Sequence, residues 1–439
     1  MITMAESKPR TDQSDWSGTG VNTMHHRRIT PFNRYYYQDL TKLVLRLSNG
    51  EKTLRIEHEH DFPTLKTKKV SYFAIVNSIG TFADIQTFFS RLYTFCRPDT
   101  KVIITYYNYL WEPLLTVAQL LGLAQKSIHQ NWLRLNDLQN LLFLSNFTVV
   151  KRGQQMLFPL YFPFLSDFIN RFIAPLPIFN HLCLTSYVVV RPQHLLQLKK
   201  TYSVSVIVAA RNEEGNIETL VRLLPQLGSF MEIIFVEGHS KDNTWGKILA
   251  VQEKYPKKNI KIFRQIGIGK ADAVHRGIEK ARGDIIIILD ADLSVPPSDM
   301  PKFYEALTSG KGEFINGTRL IYPLEKDSMR FLNKLGNAIF SMLFSWTLNQ
   351  RFTDTLCGTK AFFRKDYHKI LALRKIFGDF DPFGDFELIF GAAKLNLHVI
   401  EVPVRYKARV YGSSNISRFT HGFLLLKMWL RALAQFKLT

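Results

Sequence analysis

Asp284-Ile-Ile-Ile-Ile-Leu-Asp-Ala-Asp-Leu-Ser294 is the stretch that decides the fold of this chain. Its run of isoleucines is apolar at every position, which is typical of a parallel strand buried on both faces. The run ends in Asp290 and Asp292, and open α/β sheets bind their ligands at the carboxyl ends of such strands. Paired carboxylates there suit Mg²⁺ or Mn²⁺, which keeps open positions for phosphate oxygens.

A pattern of strand, loop and helix occurs three times before this stretch. Strands are predicted at residues 204–210, 232–237 and 260–263, and each is followed by a loop and then by helical periodicity. Such alternation predicts a mostly parallel sheet covered by helices. Residues 201–439 are therefore expected to form one α/β domain.

Composition limits the classes of protein to consider. The chain has 439 residues, which is more than one hydrophobic core usually serves, so two domains are expected. Lys and Arg number 57 against 37 Asp and Glu, a formal charge of +20, which attracts nucleic acid, anionic lipid or phosphorylated substrates without choosing among them. The three cysteines are widely spaced and fit neither a zinc site nor a disulfide framework, which indicates a reducing compartment.

The N-terminal segment resembles no secretory signal. Residues 1–34 are polar and mixed, so they are expected to be disordered. Later in the chain no run reaches the roughly 18 uninterrupted apolar residues of a membrane span. A soluble or peripheral protein is therefore predicted.

Residues 35–192 are expected to form a first α/β domain. The segments Thr100-Lys-Val-Ile-Ile and Asn108-Tyr-Leu-Trp-Glu-Pro, within alternating strands and helices, resemble the later half of a class I methyltransferase. A working methyltransferase needs a glycine-rich turn after its first strand, and residues 53–62 contain no glycine. We therefore predict a degenerate, truncated Rossmann-like methyltransferase-type domain, followed by a linker at residues 193–200.

Four loops make the pattern of the second domain specific: residues 204–212, 236–244, 267–271 and 289–294. Together with the segments that follow, they resemble family-2 glycosyltransferases of the GT-A fold, in particular the dolichyl- and polyprenyl-phosphate sugar transferases. The resemblance implies that Asp290 and Asp292 bind the metal, Mg²⁺ or Mn²⁺, and that Asp290 also contacts the donor. It implies further donor-binding residues: Ala209, Arg211, Glu213, Glu237, Lys270 and Asp272. The family's third metal position falls on Ser294.

The same resemblance implies an acceptor side built from later segments. Asn316-Gly-Thr-Arg319 is similar to the family's Gly-Ser-Arg, and Arg330 falls where the lipid-linked branch keeps an arginine for the acceptor phosphate. Arg409 opens a loop that would close over the donor, although Asn415 replaces its usual lysine. Asp385 is the first candidate for an acid facing the acceptor, and Glu387 is the second. Plain surface charge and a helix cap are the alternatives for these arginines and acids.

Three apolar segments bear on membrane contact. Residues 161–182 are dense in aromatic and aliphatic side chains; they could cover the domain junction or touch a membrane, and packing is expected. Residues 331–348 and 423–433 are amphipathic. These two segments could lie in the plane of an anionic leaflet or pack on a domain, and both alternatives stay open.

The sequence predicts a metal-dependent, inverting glycosyltransferase that uses a nucleoside-diphosphate sugar. The acceptor would be a polyprenyl phosphate or another cell-envelope glycan acceptor, and the enzyme would be cytoplasmic and peripheral at the inner face of the cytoplasmic membrane. Alternatives are a bifunctional enzyme that also methylates with S-adenosylmethionine, or a transferase acting on a soluble hydroxyl acceptor. No stacking platform or basic recognition helix is evident, so nucleic acid is not an expected partner.

Overall fold

A computed structural model describes residues 31–59, 61, 70–120, 131–193, 201–322, 331–374, 384–409, 411 and 418–438. The chain divides into two compact units, Met1–Pro192 and Gln193–Thr439. Residues 1–30 of the segment predicted to be disordered, and residues 194–200 of the predicted linker, lie outside the described residues.

The first unit is built around a five-stranded sheet. Its strands are β1 (Thr53–Ile56), β2 (Tyr72–Val76), β3 (Lys101–Tyr107), β4 (Phe147–Gln155) and β5 (Thr185–Pro192). Its helices are α1 (Pro31–Leu47), α2 (Ile85–Phe95), α3 (Glu112–Leu120), α4 (Leu135–Leu144), α5 (Leu165–Phe168) and α6 (Pro177–Asn180). The strand order is β1-β2-β3-β5-β4, with β1, β2 and β3 parallel and β5 antiparallel to both of its neighbours.

Helix α1 begins at Pro31, inside the segment that the sequence predicted to be disordered. Proline suits the first position of a helix because its φ is already helical and its missing N–H has no partner to lose. Further along α1, Tyr36, Leu40, Leu43 and Leu47 recur at helical spacing and are buried against the sheet. That stripe gives the helix its stability, and it was not recognised in the sequence.

The second unit contains a seven-stranded sheet. Its strands are β6 (Val204–Ala210), β7 (Met231–Glu237), β8 (Ile260–Arg264), β9 (Ile285–Ile288), β10 (Phe314–Thr318), β11 (Lys360–Phe363) and β12 (Val399–Pro403). Its helices are α7 (Ile217–Leu223), α8 (Thr244–Lys254), α9 (Lys270–Lys280), α10 (Met300–Thr308), α11 (Phe331–Leu348), α12 (Arg364–Ala372), α13 (Asp385–Lys394) and α14 (Arg418–Phe436). The order is β12-β10-β11-β9-β6-β7-β8.

The isoleucine run of β9 is buried on both faces of this sheet, as the sequence predicted. Ile285 and Ile287 belong to one hydrophobic cluster, whereas Ile286 and Ile288 belong to the cluster on the other face. Because side chains alternate along a strand, two cores need apolar residues at every position. The second unit therefore has the predicted α/β architecture with a mixed, mostly parallel sheet.

The sheet has a switch point between β6 and β9. Strand β6 is parallel to β7 on one side and to β9 on the other, and β7 is parallel to β8. The chain thus moves outward from β6 in one direction and then returns to its opposite side, and ligands bind beside the carboxyl ends of strands at such a point. Strand β11 runs antiparallel to β9, with Lys360 opposite Ile288, so β11 begins at this same edge.

Helices α11 and α14 each pack one face on the second unit. Phe344 and Leu348 of α11 share a buried cluster with Leu425, Met428 and Ala432 of α14. Their outer faces expose further large apolar side chains: Ile339, Met342, Phe423, Leu426 and Leu430. Among the described residues, no helix has both the length and the apolar character required to cross a membrane.

Candidate active site

Two ion pairs flank the carboxyl end of β9. The Lys270 ammonium lies 2.6 Å from Asp290 Oδ1. One Nη of Arg409 lies 2.6 Å from Asp292 Oδ2, while the Ser294 backbone N–H and hydroxyl donate to the other Asp292 oxygen at 3.0 and 2.7 Å. Each carboxylate of the predicted metal pair therefore has a cation of its own. Ser294 orients Asp292 through these hydrogen bonds.

The pairing of Lys270 with Asp290 keeps both groups charged. Burial acts to raise the pKa of the Asp290 carboxyl, but the adjacent Lys270 charge outweighs burial and lowers that pKa below its usual value. Burial acts to lower the pKa of Lys270, and the charges of Asp290 and Asp385 raise it above its usual value. The Asp290 side chain remains 27% exposed, so one side of the pair is accessible from solvent.

Asp385 extends this pair into a chain of four charged residues. It is the first residue of α13, and its two oxygens lie 3.0 Å from the Lys360 ammonium and 3.9 Å from the Lys270 ammonium. Lys360 is fully buried and also donates to the Cys357 carbonyl. The order of charges is therefore Lys360, Asp385, Lys270, Asp290. A fully buried lysine is stable as a cation only with such partners.

Two glycines allow these groups to approach one another. Gly384 precedes Asp385 with a left-handed φ of 70°, and a Cβ there would lie 2.9 Å from Cα of Ala271 in the first turn of α9. A Cβ at Gly358 would collide with the Asp290 carboxylate and the Lys270 ammonium. Glycine at both positions therefore lets backbone come close to the charged groups.

Glu387 lies apart from this chain of charges. Its Oε2 is 3.1 Å from His275 Nε2 and 3.7 Å from Arg374 Nε, and His275 Nδ1 is hydrogen-bonded to the Tyr367 hydroxyl. Residues two apart on a helix point in different directions, so α13 separates its two acids. The structure brings Asp385 to Asp290, and it places Glu387 with His275.

Glu213 and Glu237 lie at the same edge, after β6 and at the end of β7. Glu213 is buried and accepts a hydrogen bond from Asn216 Nδ2 at 2.6 Å. Burial raises the pKa of the Glu213 carboxyl to about 7, and the negative charge of Asp292 adds to the rise. Glu237 is buried and accepts from the backbone N–H of Ser240.

Three further residues were predicted to bind the nucleotide-sugar donor. Ala209 is half-buried in β6, and Arg211 is exposed directly after that strand. Asp272, in the first turn of α9, accepts from the backbone N–H of Gly267 at 2.9 Å. Asp272 thereby fixes the loop that leads to Lys270.

Arg319 is held inside the second unit. Its Nε and Nη2 donate to the two oxygens of Asp354 at 2.6 and 2.8 Å, and its backbone N–H donates to the same carboxylate at 3.0 Å. Asn337 Nδ2 and the Leu356 backbone N–H also donate to Asp354, at 2.9 and 3.0 Å. The Arg319 charge outweighs burial and lowers the pKa of Asp354. This geometry orders the segment around Asp354. Arg330 and Asn415 lie outside the described residues.

The partners of the charged side chains were not predicted from the sequence, among them those of Lys360 with Asp385 and of Arg319 with Asp354. Asp354 and Lys360 both belong to the segment Thr353-Asp-Thr-Leu-Cys-Gly-Thr-Lys360, whose Asp-x-x-x-Gly pattern is the available signal. The pattern marks the segment as part of a site. It does not give the partner of each charge.

Asp290 and Asp292 offer the oxygen ligands that Mg²⁺ and Mn²⁺ prefer. In the part of the chain that the structure describes, no group of three or more His, Cys, Asp or Glu could hold a metal ion. An ion shared with a diphosphate needs few protein ligands, because phosphate oxygens and waters complete its shell. Gly358 keeps the space beside Asp290 clear of a side chain. The residues therefore fit such an ion.

Comparisons with known proteins concern the second unit. Residues 205–371 match the family model described as Glycosyl transferase family 2. A dolichol-phosphate mannosyltransferase from Pyrococcus furiosus is 36% identical over 134 residues, which cover 30% of this chain and 37% of that protein. An undecaprenyl-phosphate 4-deoxy-4-formamido-L-arabinose transferase from Pseudomonas aeruginosa is 27% identical over 218 residues, 49% of this chain and 60% of that protein. The chain therefore spans less than two thirds of the length of these curated relatives.

Among solved structures, glucosyl-3-phosphoglycerate synthase from Mycobacterium tuberculosis, in complex with Mn²⁺, UDP and glucosyl-3-phosphoglycerate, is similar at 17% identity. The TM-score is 0.39, with 54% of this chain and 81% of that chain covered. None of these comparisons supports the methyltransferase-like prediction for residues 35–192, which stays a prediction.

Proposed function

Residues 205–371 are a family-2 glycosyl transferase domain, and from this premise we propose that the chain transfers a sugar from a nucleoside-diphosphate sugar to a polyprenyl phosphate or another lipid-linked acceptor. The reaction is a single displacement at the anomeric carbon, and it inverts the configuration there. The observation that carries this proposal is the pair of carboxylates at the switch point, each with its own cation.

Asp290 and Asp292 would hold Mg²⁺ or Mn²⁺, and Lys270 and Arg409 would turn toward the diphosphate. A bound metal ion offsets negative charge that develops on the nucleoside diphosphate as it leaves. Lys270 and Arg409 lie against these carboxylates, and an ammonium and a guanidinium group are also suited to bind phosphate oxygens. If Lys270 and Arg409 exchanged the carboxylates for the diphosphate, binding of the nucleotide sugar would free Asp290 and Asp292 to hold the metal ion.

Glu213, Glu237, Ala209 and Arg211 would line the base and ribose. All four lie at or just after the carboxyl ends of β6, which pairs with β9, and of β7, which lies on the other side of β6. The buried Glu213 and Glu237 offer carboxyl oxygens to hydroxyl or amide donors of a nucleoside. Asp272 supports this binding indirectly, because it holds the loop before Lys270.

The acceptor decides what the remaining charged residues do. A lipid phosphate is already anionic, so it needs cations that position it, and Arg409 and Arg330 are proposed for this role. Arg319 would contribute by ordering the segment around Asp354. With a hydroxyl acceptor, Asp385 would take the proton. Glu387, bound to His275, is then left to fix α13 in place.

Three observations support action at the inner face of the cytoplasmic membrane. The two curated relatives are named for dolichol phosphate and undecaprenyl phosphate. The formal charge of +20 favours an anionic leaflet. The outer faces of α11 and α14 expose apolar side chains, among them Met342 and Phe423. A peripheral contact through these helices would bring the site to a lipid-linked acceptor.

The test is a panel of GDP- and UDP-sugars with Mn²⁺, run with a detergent-solubilised polyprenyl phosphate and, separately, with a water-soluble sugar. We expect transfer to the lipid phosphate from one donor class, and its loss in Asp292→Asn or after chelation of Mn²⁺. Asp284→Asn is the matched control, because Asp284 lies at the opposite end of the same strand and bonds Ser203. Full turnover in Asp292→Asn would overturn the metal assignment, and transfer to the soluble sugar alone would overturn the acceptor.

A further inference from the structure

The first unit presents an apolar surface between residues 160 and 182, here called the aromatic surface. Eleven of its large apolar side chains are exposed: Leu160, Tyr161, Phe162, Phe164, Leu165, Phe168, Phe172, Leu176, Ile178, Phe179 and Leu182. Soluble monomers rarely expose so many large apolar groups within one short segment. Some occupant is therefore expected to cover this surface.

The segment is well ordered on its inner side, where its own polar side chains bond its backbone. Asn170 accepts from the Phe158 N–H at 2.9 Å and donates to the Phe158 carbonyl at 2.8 Å. Ser166 accepts from the Phe162 N–H at 2.6 Å and donates to the Leu160 carbonyl at 2.7 Å. Asn170 and Ser166 therefore bond the backbone on the inner side, while the large apolar side chains face outward.

Phe164 is the most exposed member of the aromatic surface. Its side chain is 90% exposed, and its backbone has a left-handed φ of 63°, which bulky residues rarely adopt. Water is a poor solvent for a phenylalanine ring held in this way. A sparsely populated backbone conformation persists only where the surrounding structure enforces it, so the Phe164 ring is held in its exposed position.

The chemistry of the aromatic surface favours lipid over a protein partner. A protein interface has a polar rim with several hydrogen bonds, but the segment carries only Asp167 and Arg171 as charged residues. Asp167 accepts from the Tyr35 hydroxyl, and the Arg171 guanidinium lies 5.7 Å from the centre of the Phe172 ring. Elements that enter lipid need their backbone polar groups bonded internally, as those around Asn170 and Ser166 are.

We propose that the aromatic surface inserts into the headgroup boundary of an anionic lipid bilayer and holds the first unit there. This inference rests on the proposed function in one respect, since a lipid-linked acceptor would bring the chain to a bilayer. It assigns the first unit a role as an anchor. The positive charge of the chain acts in the same direction, because it attracts an anionic leaflet.

The experiment measures binding of the full-length chain to vesicles of phosphatidylcholine and phosphatidylglycerol that contain no polyprenyl phosphate. The test variant is Phe164→Ser with Ile178→Ser, at side chains that are 90% and 79% exposed. The control is Phe143→Ser with Leu144→Ser, which removes 70% and 51% exposed side chains of α4 in the same unit. We expect the test variant to lower vesicle partitioning roughly tenfold or more, and the control to leave it unchanged.

Three results would overturn the proposal. One is equal binding by the wild type and the test variant, and another is an equal loss in the control. The third is a wild-type dimer that the test variant converts to monomer while neither binds vesicles, because a second copy would then cover the surface. Thermal unfolding of both variants close to that of the wild type shows that they are folded. Sugar transfer to a detergent-solubilised acceptor, measured separately, tests the proposed function without a bilayer.

Discussion

Both sheets are mixed sheets that contain adjacent parallel strands, and they differ in the chemistry at the carboxyl ends of those strands. At the carboxyl edge of the first sheet, Asn77 accepts from the Thr105 hydroxyl at 2.9 Å and donates to Tyr36, whose hydroxyl is hydrogen-bonded to Thr185 at 3.0 Å. Those groups are neutral, buried and bonded to one another. At the corresponding edge of the second sheet, Asp290 and its neighbours are charged and partly open to solvent.

The difference shows that fold and function are specified by different residues. The apolar residues inside the strands make either sheet, and the few residues after each strand decide whether its edge can bind an anionic ligand. A closed neutral network stabilises a unit and offers nothing to a diphosphate. A row of alternating charges can exchange partners when a ligand arrives.

The largest expected effect is a loss of turnover when a residue at a strand end of the second sheet is changed, compared with a matched change in the first sheet. Asp290→Asn removes the negative charge nearest to Lys270 and one proposed metal ligand, so turnover should fall roughly a thousandfold, about 4 kcal/mol of transition-state stabilisation. Asn77→Ala breaks the neutral network and should lower the thermal midpoint while turnover per folded molecule is kept. Steady-state kinetics and thermal unfolding of both variants measure this. A comparable loss of turnover in Asn77→Ala would contradict the view that only the strand ends of the second sheet take part in catalysis.

The second-largest effect distinguishes the buried ion pair of Arg319 with Asp354 from the more exposed pair of Arg409 with Asp292. Arg319→Met leaves Asp354 buried without its main partner, so the free energy of unfolding should fall by about 3 kcal/mol. Arg409→Met removes a more exposed side chain from Asp292, and its stability should change little while transfer is lost. Chemical denaturation beside a transfer assay tests both. If Arg319→Met unfolds like the wild type yet loses transfer, Arg319 acts on the substrate directly.

The smallest effect concerns Glu213 and depends on pH. Burial raises its folded-state pKa to about 7, from an ordinary value of about 4.3, so between these two values the folded state holds a proton that the unfolded state has released. The stability contribution of Glu213 therefore falls as the pH rises through this window. Glu213→Gln cannot ionise and should gain about 2 kcal/mol relative to wild type from about pH 4.5 to about pH 8, after allowance for solvent screening. A constant difference across this range, measured by denaturation, would contradict the raised pKa.

Many strands and helices of the second unit could be predicted, because the spacing of apolar residues along the sequence indicates the type of each element. The isoleucine run gave β9, and the apolar spacing of residues 331–348 coincides with α11. The family match at residues 205–371 confirms the resemblance to family-2 glycosyltransferases, and the α/β sheet agrees with the GT-A expectation. The candidate metal pair followed from the same stretch, because a strand end has a fixed place in an open sheet.

The partners of individual charges could not be predicted. Lys360 and Asp385 come from different elements, and they meet because Gly384 adopts a left-handed backbone that sets where α13 begins. Once the first residue of α13 is known, helical geometry shows that Asp385 and Glu387 point in different directions. The sequence alone does not fix that first residue. Arg319 presents the same difficulty, since nothing in its neighbours indicates that Asp354 will accept hydrogen bonds from both Nε and Nη2 of its guanidinium.

The reversed direction of β11 has a consequence for how this domain can vary. A parallel strand exposes to the site only the loop that follows it, whereas β11 exposes the loop that precedes it, which ends at Lys360. Beyond its other end, Arg364 N–H bonds the Asp284 carbonyl at the far edge of the sheet. Insertions and deletions before Lys360 would therefore alter the charged site directly, whereas a change of length in the turn just after Phe363 would alter the opposite edge of the sheet.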